Sequence, residues 1–286
     1  MHAVKAITLA GLSLLALNTA HAIELSEQFS LAITPQVLSD YRNSGISQTL
    51  GDPALQLDVL LAHASGLYAG VWTSTVEFGY DWERGDDYGT RREVDYYAGY
   101  YWQISDDISL DAYYNRYTYP GESQFNGADV YLTLEAYGFF IGGKHSDATD
   151  ESSASLYAGY RTLLPLDIGL ELKFENVDYK DKVFFNKDWS RGEEEYNNWS
   201  VGLQRDMLGV TWGLSYIDTD LSDAECMSFS GYDDLCSSTL VVSASKTFLT
   251  STSTMAAWVD AARLARTGCA SGVASKSGRS SQPRRT

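Results

Sequence analysis

Histidine limits the chemistry this chain can do. Of its four histidines, only His63 and His145 lie beyond the amino-terminal leader described below. A Ser-His-acid hydrolase needs one imidazole within hydrogen-bond reach of a serine and an orienting acid. An acid-type site could draw His145 toward Asp81, Asp86, Asp218 or Asp220. The strand order set out below puts His63 beside a short turn and His145 beside a long loop, so the two cannot share one site. No G-x-S-x-G, H-E-x-x-H or P-loop pattern occurs. The loop acids read as solvated charges, and no catalytic residue, cofactor or metal is expected. The GDDYG run is too short and irregular for a calcium loop. Cys226 and Cys236 lie in one loop that has no histidine, and two ligands do not close a metal site. In an oxidising compartment their spacing favours a disulfide over free thiols. Cys269 lies far downstream.

A second set of chemical groups recurs every two residues. Ile168, Leu170, Leu172 and Phe174 alternate with Gly169, Glu171, Lys173 and Glu175, the period of a strand with unlike faces. Comparable segments fall near 29–42, 54–64, 67–80, 92–104, 108–119, 128–136, 139–146, 153–163, 167–179, 196–205, 208–219 and 239–248. Every second link is very short (65–66, 105–107, 137–138, 164–166, 206–207). The others, such as 43–53, 81–91, 180–195 and 220–238, are long and polar. Strict alternation of tight turns with long loops, over an even number of strands, is the pattern of a transmembrane barrel with periplasmic turns and extracellular loops. After the leader no run of 18 apolar residues exists, so any crossing is by strands closed on themselves. A soluble β domain is the rival, because periodicity does not say which face is wet.

The fold class expected is therefore all-β, an antiparallel transmembrane barrel of about twelve strands. If the aliphatic phase meets lipid, the inward phase carries Asp40, Arg42, Asp58, Glu77, Asp95, Asp111, Glu135, Lys144, Arg161, Glu171, Lys173 and Glu175. Lys or Arg turned to mid-membrane lipid would cost about 2–4 kcal/mol each. The excess of acid predicts a lumen that prefers cations. The same charges, paired among tyrosines, could instead plug the interior, and both outcomes stay open at twelve strands. Among 20 Tyr and 7 Trp, Tyr80, Trp82, Tyr117, Tyr119, Tyr179, Trp199 and Tyr216 fall beside long loops. Tyr68 and Trp102 fall near short turns. These nine are expected to form two interfacial aromatic girdles.

Several blocks in order carry a family resemblance. They are LSDYRNSGISQT (38–49), PALQLD (53–58), SGLYAGVWTSTVEF (65–78), EVDYYAGY (93–100), YTYPG (117–121), IDTD (217–220) and the closing VSASKTF (242–248). Together they resemble the TorF-type porins, also catalogued as the Gcw_chp conserved hypothetical outer-membrane proteins. The resemblance covers about residues 24 to 248 and implies an outer-membrane β-barrel of poorly defined function, with no catalytic residues to carry over. The strand 239–248, ending on Phe248, looks like the terminal strand with which such barrels close.

Lys5, the apolar run 6–17 and Ala20-His21-Ala22 read as a secretory signal cut after Ala22. A retained anchor on a periplasmic domain is the other reading of that run. Three regions are expected: a signal peptide 1–22, a barrel 23–248, and a basic Ser/Gly/Arg-rich extension 249–286 that is disordered or comes from a shifted reading frame. The net charge of −17 excludes nucleic acid as a natural partner. Partners expected are outer-membrane lipid and lipopolysaccharide, the outer-membrane assembly machinery, and small hydrophilic solutes or cations. Passive passage of such solutes is the leading function. A filled structural or adhesion barrel is the alternative, and an outer-membrane hydrolase comes third.

Overall fold

The two-residue alternation becomes twelve antiparallel strands in the computed structural model, which describes residues 28–81, 85–148 and 152–250. In chain order they are β1 Phe29–Leu38, β2 Ala54–His63, β3 Leu67–Thr75, β4 Arg92–Ser105, β5 Ile108–Thr118 and β6 Gly127–Ala136. Then come β7 Phe139–Ala148, β8 Ser152–Leu164, β9 Ile168–Asp178, β10 Glu195–Met207, β11 Val210–Thr219 and β12. The last runs in two segments, Thr239–Ser245 and Phe248–Thr250, both paired with β1 from Leu38↔Ser243 to Leu31↔Thr250. Each other strand pairs with its neighbour in sequence, so the sheet closes and has no free edge. The gap in β12 faces Pro35, which has no N–H to give to the ladder. Lys246 still donates to the Pro35 carbonyl at 3.2 Å. The expected leader 1–22, Trp82, Cys269 and all of the extension beyond Thr250 lie outside the described residues.

Strand boundaries depart from expectation at three places. β1 stops at Leu38 rather than 42, where Arg42–Asn43 leaves the ladder for a small hairpin with Ile46–Ser47, held by the Asp40–Arg42 pair (2.7 Å). β3 stops at Thr75 rather than 80, and Tyr80–Asp81 joins a small hairpin with Asp86–Asp87 in the following loop. The turn between β10 and β11 is Leu208-Gly209, not 206–207. Both residues have positive φ (57° and 72°), the type I′ geometry that suits a two-residue hairpin, and Tyr137-Gly138 repeats it (55° and 84°). A two-residue shift leaves every side chain on its face.

The wall is oily outside and polar or small inside. Leu156 is 71% exposed, and Leu132, Ile141, Leu172, Trp212 and Leu214 also stand on the outer surface, whereas Glu175 and Asp111 are buried. A belt of this extent is stable against hydrocarbon rather than water, so the barrel is a transmembrane one. No helix among the described residues is long and apolar enough to cross a membrane. The interior is unequal along its axis. On the short-turn side, Ala32, Leu60, Ala62, Tyr68, Tyr97, Tyr101 and Tyr113 pack into one cluster. Gly99 makes room for it, since a Cβ there would collide with Tyr113, Tyr68 and the Ala112 carbonyl.

Long loops close the opposite end. Ile46, Val177, Phe184, Tyr196, Leu235 and the Cys226–Cys236 disulfide form a second cluster there. Helix α1, Asp223–Ser230, belongs to this lid. Ser222 caps its first turn by accepting from the Glu225 N–H, with the Glu225 carboxylate reaching back to Ser222 N–H, and Gly231 (φ 80°) ends it. Between the tyrosine cluster and these loops lies the cavity.

Candidate functional site: a polarised lumen

The cavity has a volume of about 370 Å³ and is walled by charged side chains and tyrosines. Its charges divide by strand. Asp58 on β2, Glu93 and Asp95 on β4, and Asp129 on β6 form an acidic arc, and all four line the cavity. Asp111 on β5 shares the acidic side but sits lower, buried in the tyrosine cluster, where Tyr68 Oη donates to its Oδ1 at 2.7 Å. No Lys or Arg faces inward from β2 to β6 among the described residues. The three inward bases carried on barrel strands stand on the next three: Lys144 on β7, Arg161 on β8 and Lys173 on β9.

Those bases meet acids of their own. Arg161 Nε donates to Glu171 Oε2 at 2.6 Å and its Nη1 to Glu135 Oε2 at 2.8 Å, with the guanidinium 4.1 Å above the Phe140 ring. Lys173 pairs with Glu175 at 3.1 Å, and Glu175 also accepts from Asn198 and Ser44. Lys144 adds its charge to the same Glu175 neighbourhood. Charge on this side is neutralised within itself; on the acidic arc it is not.

Asp40 and Arg42 line the mouth but act as a clasp. Asp40 takes Arg42 Nε, Ser47 Oγ (2.6 Å) and Thr49 Oγ1 (3.1 Å), while Arg42 Nη1 donates to the carbonyls of Gly45, Leu235 and Ser237 at 2.9–3.0 Å. One buried ion pair thus ties the first long loop to the disulfide loop. Of the expected lumen set, Asp58, Asp95, Lys144, Arg161, Lys173 and Glu175 line the cavity, and Glu135 and Glu171 join it through Arg161. Glu77 does not belong to the wall: it lies past the end of β3, with its N–H on the Gln48 carbonyl at 2.9 Å.

Glu93 and Asp129 are residues the sequence reading missed. They share parity with Asp95 and Glu135 on the same strands, which is the signal that would have found them. Tyr41 and Tyr119 hydrogen-bond to Glu93. Burial, with the Glu93 and Asp95 carboxylates beside them, pushes both phenols well above their ordinary range, so both remain protonated donors.

The aromatic girdles need correction. Trp102, Trp199 and Tyr216 do face outward. Tyr68 is buried inside, Tyr117 lines the cavity, Tyr119 packs against Phe78 and Phe125, and Tyr179 packs against Phe184 and Phe229 in the lid. Position near a strand end does not fix the face; parity does. Tyr80 lies on the loop hairpin. Further outer aromatics are Tyr137, Phe139 and Trp212, and those missed include Tyr96, Tyr100 and Tyr114. His63 bonds Ser65 Oγ at 2.8 Å at the short-turn edge, and His145 is exposed on the outer face of β7. The strands hold these imidazoles apart and away from the cavity.

No curated protein matches this chain. Solved barrels resemble it at a distance. The KdgM porin, solved in complex with disordered oligogalacturonate, is 9% identical over 77% of this chain and 99% of its own, with a TM-score of 0.43. The NanC porin is 11% identical over 76% and 98%, with a TM-score of 0.47. LpxR from Salmonella typhimurium is 10% identical over 77% and 99%, with a TM-score of 0.39. Residues 23–248 match the Gcw_chp model, described as a bacterial protein of unknown function, and the chain belongs to that family.

Proposed function

We propose that this chain is a non-enzymatic bacterial outer-membrane porin of the TorF type that passes small hydrophilic solutes through a narrow lumen and favours cations. On this reading it is secreted with cleavage of the leader after Ala22, is folded into the membrane by the assembly machinery, and meets lipopolysaccharide around its rim. The supporting observation is the uncompensated acidic arc Asp58, Glu93, Asp95 and Asp129 on a cavity of about 370 Å³. Fixed charge of one sign beside low-dielectric walls raises the local concentration of counter-ions and rejects co-ions. The purified full chain in planar bilayers should give small conductance steps. Under a potassium chloride gradient the zero-current potential should move toward that of potassium. Absence of steps above background, or anion preference, refutes the proposal.

A filled structural or adhesion barrel is the second reading. It is favoured by the cluster of Leu60, Tyr68, Tyr97, Tyr101 and Tyr113, which occupies the short-turn half of the interior. The same bilayer recording separates the two, since a filled barrel is silent.

A further inference from the structure

Glu93, Asp95 and Asp129 differ from every other inward acid lining the cavity in what surrounds their second oxygen. Asp95 Oδ2 accepts from Asn115 at 2.8 Å, Asp129 Oδ2 accepts from Tyr131 Oη at 3.0 Å, and Glu93 is held by Tyr41 and Tyr119. Glu93 Oε2, Asp95 Oδ1 and Asp129 Oδ1 are buried with no hydrogen-bond partner. Glu93 is only 4% exposed and Asp129 7%. Burying carboxylates this way is costly unless a cation or a proton answers them. Of the four bases lining the cavity, Arg42 pairs with Asp40, Arg161 with Glu135 and Glu171, and Lys173 with Glu175, while Lys144 adds its charge beside Glu175.

The kind of cation follows from spacing and from the walls. No three His, Cys, Asp or Glu among the described residues converge closely enough to hold a metal ion. The charges are spread around a space of small-molecule size. Trp72 and Tyr41, in an edge-on pair with ring centroids 5.5 Å apart, line the same cavity with Tyr119 and Tyr131. Aromatic rings beside separated carboxylates suit a cation with a wide, weakly hydrated head, which meets ring faces and carboxylates together.

We infer that the pocket framed by Glu93, Asp95 and Asp129 binds a small organic ammonium ion. The inference rests on the cation-preferring lumen proposed above and names the class of solute held there. The test uses the full chain folded in detergent micelles, titrated with choline chloride and, at equal ionic strength, with sodium chloride. Binding is followed by calorimetry and by tryptophan fluorescence, to which Trp72 contributes. Saturable binding of choline alone is expected, weakened at least tenfold in Glu93→Gln and in Asp129→Asn and unchanged in Asp206→Asn at the short-turn end of β10. No saturation in the wild type, equal saturation by sodium, or unweakened binding in both acid variants overturns the inference. If the variants fail to fold, the wild-type contrast between choline and sodium decides alone. A wild type that conducts with cation preference yet ignores choline refutes this site and leaves the porin reading standing. One that binds choline but is silent in bilayers does the reverse.

Discussion

Replacing Arg161 by Met tests how the interior charges are balanced. Its side chain is 7% exposed and holds two carboxylates, Glu171 at 2.6 Å and Glu135 at 2.8 Å. Met keeps most of the stem and removes the charge, leaving two acids from β6 and β9 with nothing between them. Removing one partner of a fully buried ion pair costs about 3–5 kcal/mol, while an exposed pair is worth about 1 kcal/mol or less. Glu171 and Glu135 retain 22% and 34% side-chain exposure, so water recovers part of the loss and the electrostatic share falls near 2–3 kcal/mol. Without the cation above Phe140 (4.1 Å) the barrel gives up about 1 kcal/mol more. Arg161→Met should therefore lower unfolding stability by about 3–4 kcal/mol. Adding Glu135→Gln and Glu171→Gln should restore about 2–3 kcal/mol of that; the remainder is the cation–ring attraction that Met cannot supply. Urea unfolding of the vesicle-inserted barrel, read by tryptophan fluorescence, measures both steps. A triple variant no more stable than the single one would refute the reasoning, because Arg161 would then act by packing and not by charge. So would a single variant within about 1 kcal/mol of wild type.

The lid and the wall each carry a further test. Opening the Cys226–Cys236 disulfide, which closes a ten-residue separation, removes a constraint worth about 3 kcal/mol in the chain-entropy model. Reduction, or Cys226→Ser with Cys236→Ser, should make 221–238 sensitive to limited proteolysis while the barrel keeps its heat-modifiable gel mobility; equal protease resistance counts against a disulfide-held lid. Leu172→Arg places a charge at the middle of β9 on the outer face, where Leu172 is 40% exposed. It should cost about 2–4 kcal/mol in vesicles, and a neutral result in the same unfolding assay would mean this face does not meet lipid.

Much of the wall is legible in the sequence because strand parity is a local property. Ile168, Leu170, Leu172 and Phe174 announce an outer face wherever the barrel later puts them, and a two-residue error at Leu208-Gly209 costs nothing in orientation. Errors enter where parity is set aside. Nearness to a strand end assigns Tyr68, Tyr117 and Tyr119 to girdles, although each shares the phase of an inward neighbour: Trp72 for the first, Asp111 for the others. The ends of β1 and β3 are misplaced by sequence because alternation continues into segments that tertiary contacts pull away, as the Asp40–Arg42 pair does. Pairing of charges is beyond local reading altogether. Arg161 meets Glu135 through β6 and Glu171 through β9, and that requires the register of four strands, not the pattern within one.

The two sides of the lumen show why the acidic arc is read as a site and the basic side as structure. Around Arg161 and Lys173, each base is met by carboxylates at 2.6–3.1 Å, an arrangement that makes burial tolerable and holds β6, β8 and β9 in place. Glu93, Asp95 and Asp129 gain no such return: tyrosine and asparagine donors serve one oxygen of each and leave the other without a bond. Amides at these positions would fit the same space with less electrostatic penalty, so stability of the folded barrel does not call for acids there. Among the acids around the cavity, that rule of burial is broken by these three and kept by those on the facing wall. Departures of that kind, gathered around one cavity, are where function opposes stability. The ladder, the tyrosine cluster and the lipid-facing belt supply the stability that lets acids stand in the arc.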